Sequence, residues 1–326
     1  MNNLFDELDK TPNTIIADSF VITNAKLKQY ENIVVSISGG ADSDIMLDIV
    51  SKFGTDKNIK YVFFDTGLEY VATKEHLQYL EEKYGIQIDR VKAIKPIPLA
   101  CMQYGQPFLS KQVSEWISRL QRHGFKWEDR PFEELIKEYP KCKASLKWWC
   151  NKWEKKKDGS ESSYNIAYHK YLKEFMITYP PKHKISNKCC YYGKKLVAQK
   201  AKEDFNCDLS LVGVRKAEGG ARATAYKNCF SANDDSADEF RPIFWYTNDD
   251  KSVYEDTYNI THSKCYSCYG LKRTGCAGCP YGRNFEQELE VIKEHEPKLY
   301  KAVNNIFGDS YEYTRKYREF VKQLDS

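Results

Sequence analysis

Nowhere do these 326 residues approach the roughly 18 unbroken apolar positions of a membrane-spanning helix, so no spanning segment is expected. A dominant charge is also missing. Fifty Lys and Arg stand against 46 Asp and Glu, a net charge of +4, which excludes a strongly basic nucleic-acid coat and an acidic solvating tail while leaving local patches open. The first 25 residues carry early acids and no apolar h-region. That predicts no secretory signal, hence a cytoplasmic chain with its thiols reduced. No internal repeat and no low-complexity segment is present, so repeat architectures are excluded.

What is abundant is cysteine. There are eleven, an odd number, and they cluster: Cys189 and Cys190 are adjacent, and Cys265, Cys268, Cys276 and Cys279 fall close together. In a reduced compartment such clustering points to metal or redox chemistry. The scattered Cys101, Cys142, Cys150, Cys207 and Cys229 read as ordinary buried thiols.

The pattern of apolar residues is that of consecutive βαβ units. A run at 33–37 ends at Ser38-Gly39-Gly40, and Ile45, Met46, Ile49, Val50 and Phe53 then mark a helix with one buried face. A second run at 61–64 ends at Asp65-Thr66-Gly67, and a helix is expected at 71–84. Further strands are expected at 89–94 and 209–214. The fold class is therefore α/β, a doubly wound, mostly parallel sheet. Residues 1–106 and 187–283 are expected to form the nucleotide-binding domain. Residues 107–186 read as a helical insertion rich in Lys and Trp, and 284–326 as a helical C-terminal segment.

The loop Ser36-Ile37-Ser38-Gly39-Gly40-Ala41-Asp42-Ser43 lies between the first strand and its helix. Its glycines let backbone N–H groups approach an anion, and the helix points its positive end at the same place. Ser38 and Ser43 add hydroxyls, and Asp42 is suited to a magnesium ion bridging phosphates. The Gly-Lys-Ser/Thr of a Walker loop is missing, which excludes the ordinary kinase or GTPase reading. On a late strand, Gly213 allows close backbone approach, Arg215 and Arg222 are suited to gripping phosphate or sulfate oxygens, and Glu218 to orienting one of them.

Ser38-Gly39-Gly40-Ala41-Asp42-Ser43 resembles the SGGxDS pyrophosphate loop of the adenine nucleotide alpha hydrolase (PP-loop ATP pyrophosphatase) superfamily. Asp65-Thr66-Gly67-Leu68-Glu69 resembles the second-strand motif of its phosphoadenylyl-sulfate (PAPS) reductase family. The stretch Gly213, Arg215, Glu218, Arg222 matches that family's GxR…E…R segment. The resemblance implies an adenine nucleotide over the carboxyl ends of the strands, with Ser36, Asp65, Thr66, Gly67 and Glu69 joining the site. Lys188-Cys189-Cys190 and Gly275-Cys276-Ala277-Gly278-Cys279 resemble the two halves of the 4Fe-4S site of the iron–sulfur members, implying Cys189, Cys190, Cys276 and Cys279 as ligands. The rival reading is a zinc knuckle of Cys265, Cys268, Cys276 and Cys279, with His262 as a spare ligand.

The resemblance covers about half the chain. The cysteine-bearing tail of the sulfonucleotide reductases has no counterpart after Cys279, so adenylation with ATP and Mg2+, followed by sulfur transfer or thiolation, is expected ahead of APS or PAPS reduction to sulfite. A third possibility is a nucleotide- or nucleic-acid-binding protein with structural zinc and no turnover. Residues 141–157 interleave seven lysines with Trp148, Trp149 and Trp153. A buried tryptophan face is the simpler reading, and stacking on tRNA or DNA bases the alternative. A sulfur donor or reductant protein is the other expected partner. His76, His123, His169, His183 and His295 read as surface or packing residues, and the Tyr-rich tail as a packing face or a homo-oligomer contact.

Overall fold

The computed structural model describes residues 4–54, 58–219, 225–234 and 236–325. The chain forms two compact units, Met1–Ile94 with Gly193–Ala277 and Lys95–Tyr192 with Gly278–Ser326.

The first unit is built on a six-stranded sheet of order β3-β2-β1-β4-β6-β5. Its strands are β1 (Asn32–Ser36), β2 (Asn58–Asp65), β3 (Ile88–Lys92), β4 (Leu209–Val212), β5 (Phe230–Ser231) and β6 (Asp238–Phe240). All pairings are parallel except β5 with β6. This is the expected doubly wound α/β fold. Alternation along β1 sends Ile33 and Val35 to one face, where they meet Met46, Leu47, Val50, Leu77 and Leu209. On the other side of the helix Ala41–Phe53, Ile45 and Ile49 pack with Ile16, Phe20 and Tyr254. That helix is apolar on two sides because it lies between the sheet and the helices that carry Ile16, Phe20 and Tyr254. The helix Val71–Tyr84 has the expected bounds and ends on Gly85 at φ 61°, a left-handed stop that glycine adopts without strain.

The second unit is helical, and its membership differs from the expected division. The insertion and the C-terminal segment fold together, because Tyr313 and Tyr317 of the helix Pro297–Asp325 enter the same core as Phe108, Trp148, Trp149 and Phe175. Tyr313 lies 4.9 Å, ring to ring, from both Phe108 and Phe175. The Tyr-rich tail is thus a packing face. Trp148 and Trp149 are completely buried, with Trp148 stacked 5.3 Å from Trp116 and the Trp149 Nε1 donating to the Glu128 carbonyl at 2.9 Å. Among the described residues no helix is long and apolar enough to cross a membrane.

Candidate functional site

In the sheet order, β1 is flanked by β2 on one side and β4 on the other, so the chain winds outward in both directions from the β1–β4 gap. Such a switch point opens a crevice at the carboxyl ends of the strands. Ser36 ends β1 opposite Val212 of β4, and the glycine loop and Gly213 follow directly. A methyl group on Gly213 would stand 2.9 Å from the Asp42 carbonyl oxygen and from Ser43 Cα. Only glycine lets the two segments approach this closely.

The loop is held open by its own hydroxyls. Ser38 Oγ donates to Ser43 Oγ at 3.1 Å and accepts from the Gly40 N–H at 3.3 Å, while Ser43 Oγ donates to the Gly40 carbonyl at 2.8 Å. Gly39 has φ +66°, and a Cβ there would meet Thr73 Cγ2 at 2.8 Å. Gly40, the N-cap residue of the helix Ala41–Phe53, has no side chain to close the helix end. Instead Ala41 N–H donates to the Tyr266 hydroxyl at 3.1 Å. N–H groups at such an end bind oxygen anions.

At the end of β2, Asp65 Oδ1 accepts from Gly67 N–H at 2.9 Å. Glu69 accepts from the N–H groups of Thr66 and Leu68 at 2.8 and 3.0 Å, and from the Thr66 hydroxyl. Burial raises the Glu69 pKa, the Thr66 hydrogen bonds pull the other way, and Asp65 adds to the rise. Asp65, Thr66, Gly67 and Glu69 therefore form a self-braced turn, with Glu69 shaping it.

Arg215 is almost fully buried. Its Nε donates to Asp42 Oδ1 at 3.0 Å, and its Nη1 to the Thr247 carbonyl and Asn248 Oδ1, both at 3.1 Å. Its backbone N–H donates to Glu218 Oε1 at 3.2 Å. Arg222 lies outside the described residues. The same Asp42 oxygen is met at 3.1 Å by Lys251 Nζ, a residue that sequence reasoning missed. The signal was present: Thr247 and Asp250 have the spacing of a capping box, and they do cap the helix Asn248–Thr257 that carries Lys251.

From Lys251 the polar network runs inward. Lys251 reaches Glu255 at 3.6 Å, Glu255 accepts from His262 Nε2 at 2.8 Å, and the other ring nitrogen of His262 lies 2.8 Å from Asp44 Oδ2. His76 Nε2 is 3.0 Å from that same buried oxygen. This corrects the reading of His262 as a spare ligand, because both its nitrogens are committed to carboxylates, while His76 is the packing residue expected, buried against Asp44. Burial alone would lower the His262 pKa, but hydrogen bonds and charges from Asp44 and Glu255 outweigh it and push it up to about 9. Its folded pKa lies above the ordinary value of 6.5. The stabilisation is therefore complete below pH ~6.5, declines as pH rises and is gone above pH ~9. Unfolding midpoints measured from pH 6 to 10 are expected to fall across that window and to flatten in His262→Gln. Equal slopes in the two proteins would dismiss the network.

The cysteines divide between the units. In the second, Cys189 is buried and hydrogen-bonds Cys101 and Cys190. The Cys101 bond is the largest influence raising its pKa, and Cys279 adds through its charge. Cys101 therefore belongs with the clustered thiols rather than with the scattered ones. In the first unit, Cys276 Sγ lies 3.8 Å from Thr66 Oγ1, Cys265 is buried 3.7 Å from Thr73 Oγ1, and Cys268 is exposed. Among the described residues no three His, Cys, Asp or Glu side chains converge as a ready-made metal cage. Soft thiols in contact are nonetheless the donor type that iron–sulfur clusters and zinc take.

Residues 32–147 match the phosphoadenosine phosphosulfate reductase domain family, which bears out the resemblance read from the loop and second-strand motifs. An uncharacterized protein of Methanocaldococcus jannaschii is 25% identical over 292 residues, 88% of this chain and 44% of that protein. Adenosine 5′-phosphosulfate reductase 2 of Bacillus subtilis is 32% identical over 80 residues, 24% of this chain and 33% of that protein. The chain thus spans less than half the length of either relative. Among solved structures, a PAPS reductase from Candida auris in its phosphate complex has a TM-score of 0.44 at 12% identity, covering 79% of this chain and 87% of that one. The U34-tRNA thiolase of Methanococcus maripaludis with its 4Fe-4S cluster has a TM-score of 0.37 at 13% identity, covering 94% and 80%.

Proposed function

We propose that the protein is an enzyme that binds ATP at the switch point and transfers the adenylyl group to an acceptor, which then receives sulfur. The observation that carries this reading is the Ser38–Ser43 hydroxyl-braced loop, pressed against Gly213 and facing the Arg215–Asp42–Lys251 charge cluster. Loop N–H groups and the helix end suit the phosphates of a nucleotide. An acceptor oxygen attacks the α-phosphorus, an acceptor–AMP bond forms, and the bond to pyrophosphate breaks; a sulfide-level sulfur nucleophile then bonds to the acceptor carbon as AMP leaves with the former acceptor oxygen. The loop and cations position the phosphates and neutralise charge as pyrophosphate departs, and Mg2+ enters with the ATP.

Cys189, Cys190 and Cys279 are the side chains of the second unit that would hold a 4Fe-4S cluster. When bound, such a cluster supplies a site for binding or passing on sulfur. The acceptor we propose is nucleic acid. Lys141, Lys143, Lys152, Lys155, Lys156 and Lys157 are exposed, and Trp153 is only partly buried, with the Lys147 ammonium 4.9 Å from its ring centre. Exposed lysines and an accessible indole suit an unpaired strand.

The test is anaerobic incubation of the full chain with ATP, Mg2+ and pooled tRNA or DNA, followed by pyrophosphate assay and analysis of nucleosides for sulfur. Pyrophosphate released in step with acceptor supports the reading, and none with any acceptor overturns it. The family matched over residues 32–147 favours a second reading on the same nucleotide site, reduction of APS or PAPS. Sulfite formed from either nucleotide with thioredoxin would establish that one instead.

A further inference from the structure

We propose that Lys251 is the mobile cation that meets the nucleotide's phosphates, while Arg215 serves as the fixed post that holds Asp42. The inference rests on the nucleotide reading above and assigns the two cations of that site different work.

Both cations lie on one oxygen of Asp42, at 3.0 Å for Arg215 Nε and 3.1 Å for Lys251 Nζ. Their surroundings differ. Arg215 side-chain exposure is 8%, and its guanidinium is also committed to the Thr247 carbonyl and Asn248 Oδ1. Turning toward a ligand would strand those buried acceptors, and a planar guanidinium cannot swing one N–H without moving the rest. Lys251 is a point charge on a flexible four-carbon stem, with 21% of its side chain exposed. Its second carboxylate, Glu255, is itself held by His262 at 2.8 Å, so that acceptor stays in place when the ammonium leaves.

Asp42 sits in the first turn of the helix Ala41–Phe53, beside the N–H groups of the glycine loop. A phosphate arriving there brings more negative charge than the single carboxylate that holds Lys251. The ammonium can exchange one oxygen anion for the other over a short swing. Arg215 and Asn248 meanwhile keep the loop and the helix Asn248–Thr257 in register. The phosphate-binding surface thus extends onto a helix that lies outside the loop, DTG and arginine motifs.

The test is binding of a non-hydrolysable ATP analogue with Mg2+ by titration calorimetry, using the full chain, Lys251→Met and Lys251→Arg, with thermal melts of each. The expected result is a roughly tenfold or greater loss of affinity in Lys251→Met, the size of a lost charged hydrogen bond. Lys251→Arg should retain most of the affinity, and all three proteins should melt alike. Unchanged affinity in Lys251→Met would overturn the inference. So would equal losses in both variants accompanied by lowered melting, which would make Lys251 a structural residue. A wild-type protein that fails to bind the analogue would overturn the nucleotide reading itself, and the inference with it.

Discussion

Arg215→Ala is expected to abolish pyrophosphate release and to lower the stability of the sheet unit by about 3 kcal/mol, the usual scale for removing one partner of a buried ion pair. The size follows from what the guanidinium satisfies. Truncation leaves the Asp42 carboxylate with Lys251 alone and strips hydrogen bonds from the Thr247 carbonyl and Asn248 Oδ1. Those groups join the glycine loop to the helix Asn248–Thr257, so the loss loosens the walls of the crevice as well as its charge. Arg215→Lys is expected to recover little, because one ammonium cannot reach three acceptors in the plane of a guanidinium. Urea unfolding read beside pyrophosphate release decides the matter. An alanine variant of wild-type stability and activity would show that the post is dispensable.

Trp149→Ala is expected to destabilise the helical unit by about 4 kcal/mol, in the range for emptying a buried aromatic site. Trp149 is fully buried, packs 5.4 Å from Phe125 and 5.7 Å from Trp127, and donates its Nε1 hydrogen to Glu128. Removing it opens a cavity and leaves a carbonyl without its donor. Trp153→Ala is expected to cost far less, since Trp153 is half-buried and meets the Tyr164 ring at 5.7 Å. Denaturant unfolding of both variants, with nucleic-acid binding measured on the folded protein, separates packing from recognition. If Trp149→Ala kept full stability and lost only nucleic-acid binding, the buried-face reading of the tryptophans would fall. The expected pattern is the reverse, with any effect on an unpaired strand confined to Trp153 and its flanking lysines.

The local signals along the chain carried much of the site. A strand-like run stopping at Ser38-Gly39-Gly40, and another stopping at Asp65-Thr66-Gly67, place two loops at the same end of neighbouring parallel strands. That follows from chain direction and alternation alone. Gly213 two residues before Arg215 was legible for the same reason, and the close approach of Gly213 to Asp42 and Ser43 shows why a glycine stands there. The Asp44–His262 pairing was not legible. Its members are 218 positions apart, and no spacing rule connects a carboxylate inside one helix with an imidazole in a distant loop. Cys101 is the buried thiol its apolar neighbours suggest, and only the fold shows that it also meets Cys189. It joins Cys189 because Gly105 admits the Lys184 backbone, and the Gln106 N–H then bonds the Lys184 carbonyl at 2.8 Å.

Composition, apolar period and the positions of glycine determined by themselves that this is an α/β protein with a glycine-rich loop after its first strand. Those are properties of segments a few residues long, where φ, side-chain direction and strand polarity are set locally. Only the tertiary structure decided that the insertion and the C-terminal helix share one core, since the residues that bury Trp148, Trp149, Tyr313 and Tyr317 come from both segments. Only the tertiary structure set two cations on Asp42 and two histidines on Asp44. Charges far apart in sequence acquire partners when packing removes water from around them, because an unpaired charge left in that interior costs about 3–5 kcal/mol, a large share of a total stability of about 5–15 kcal/mol.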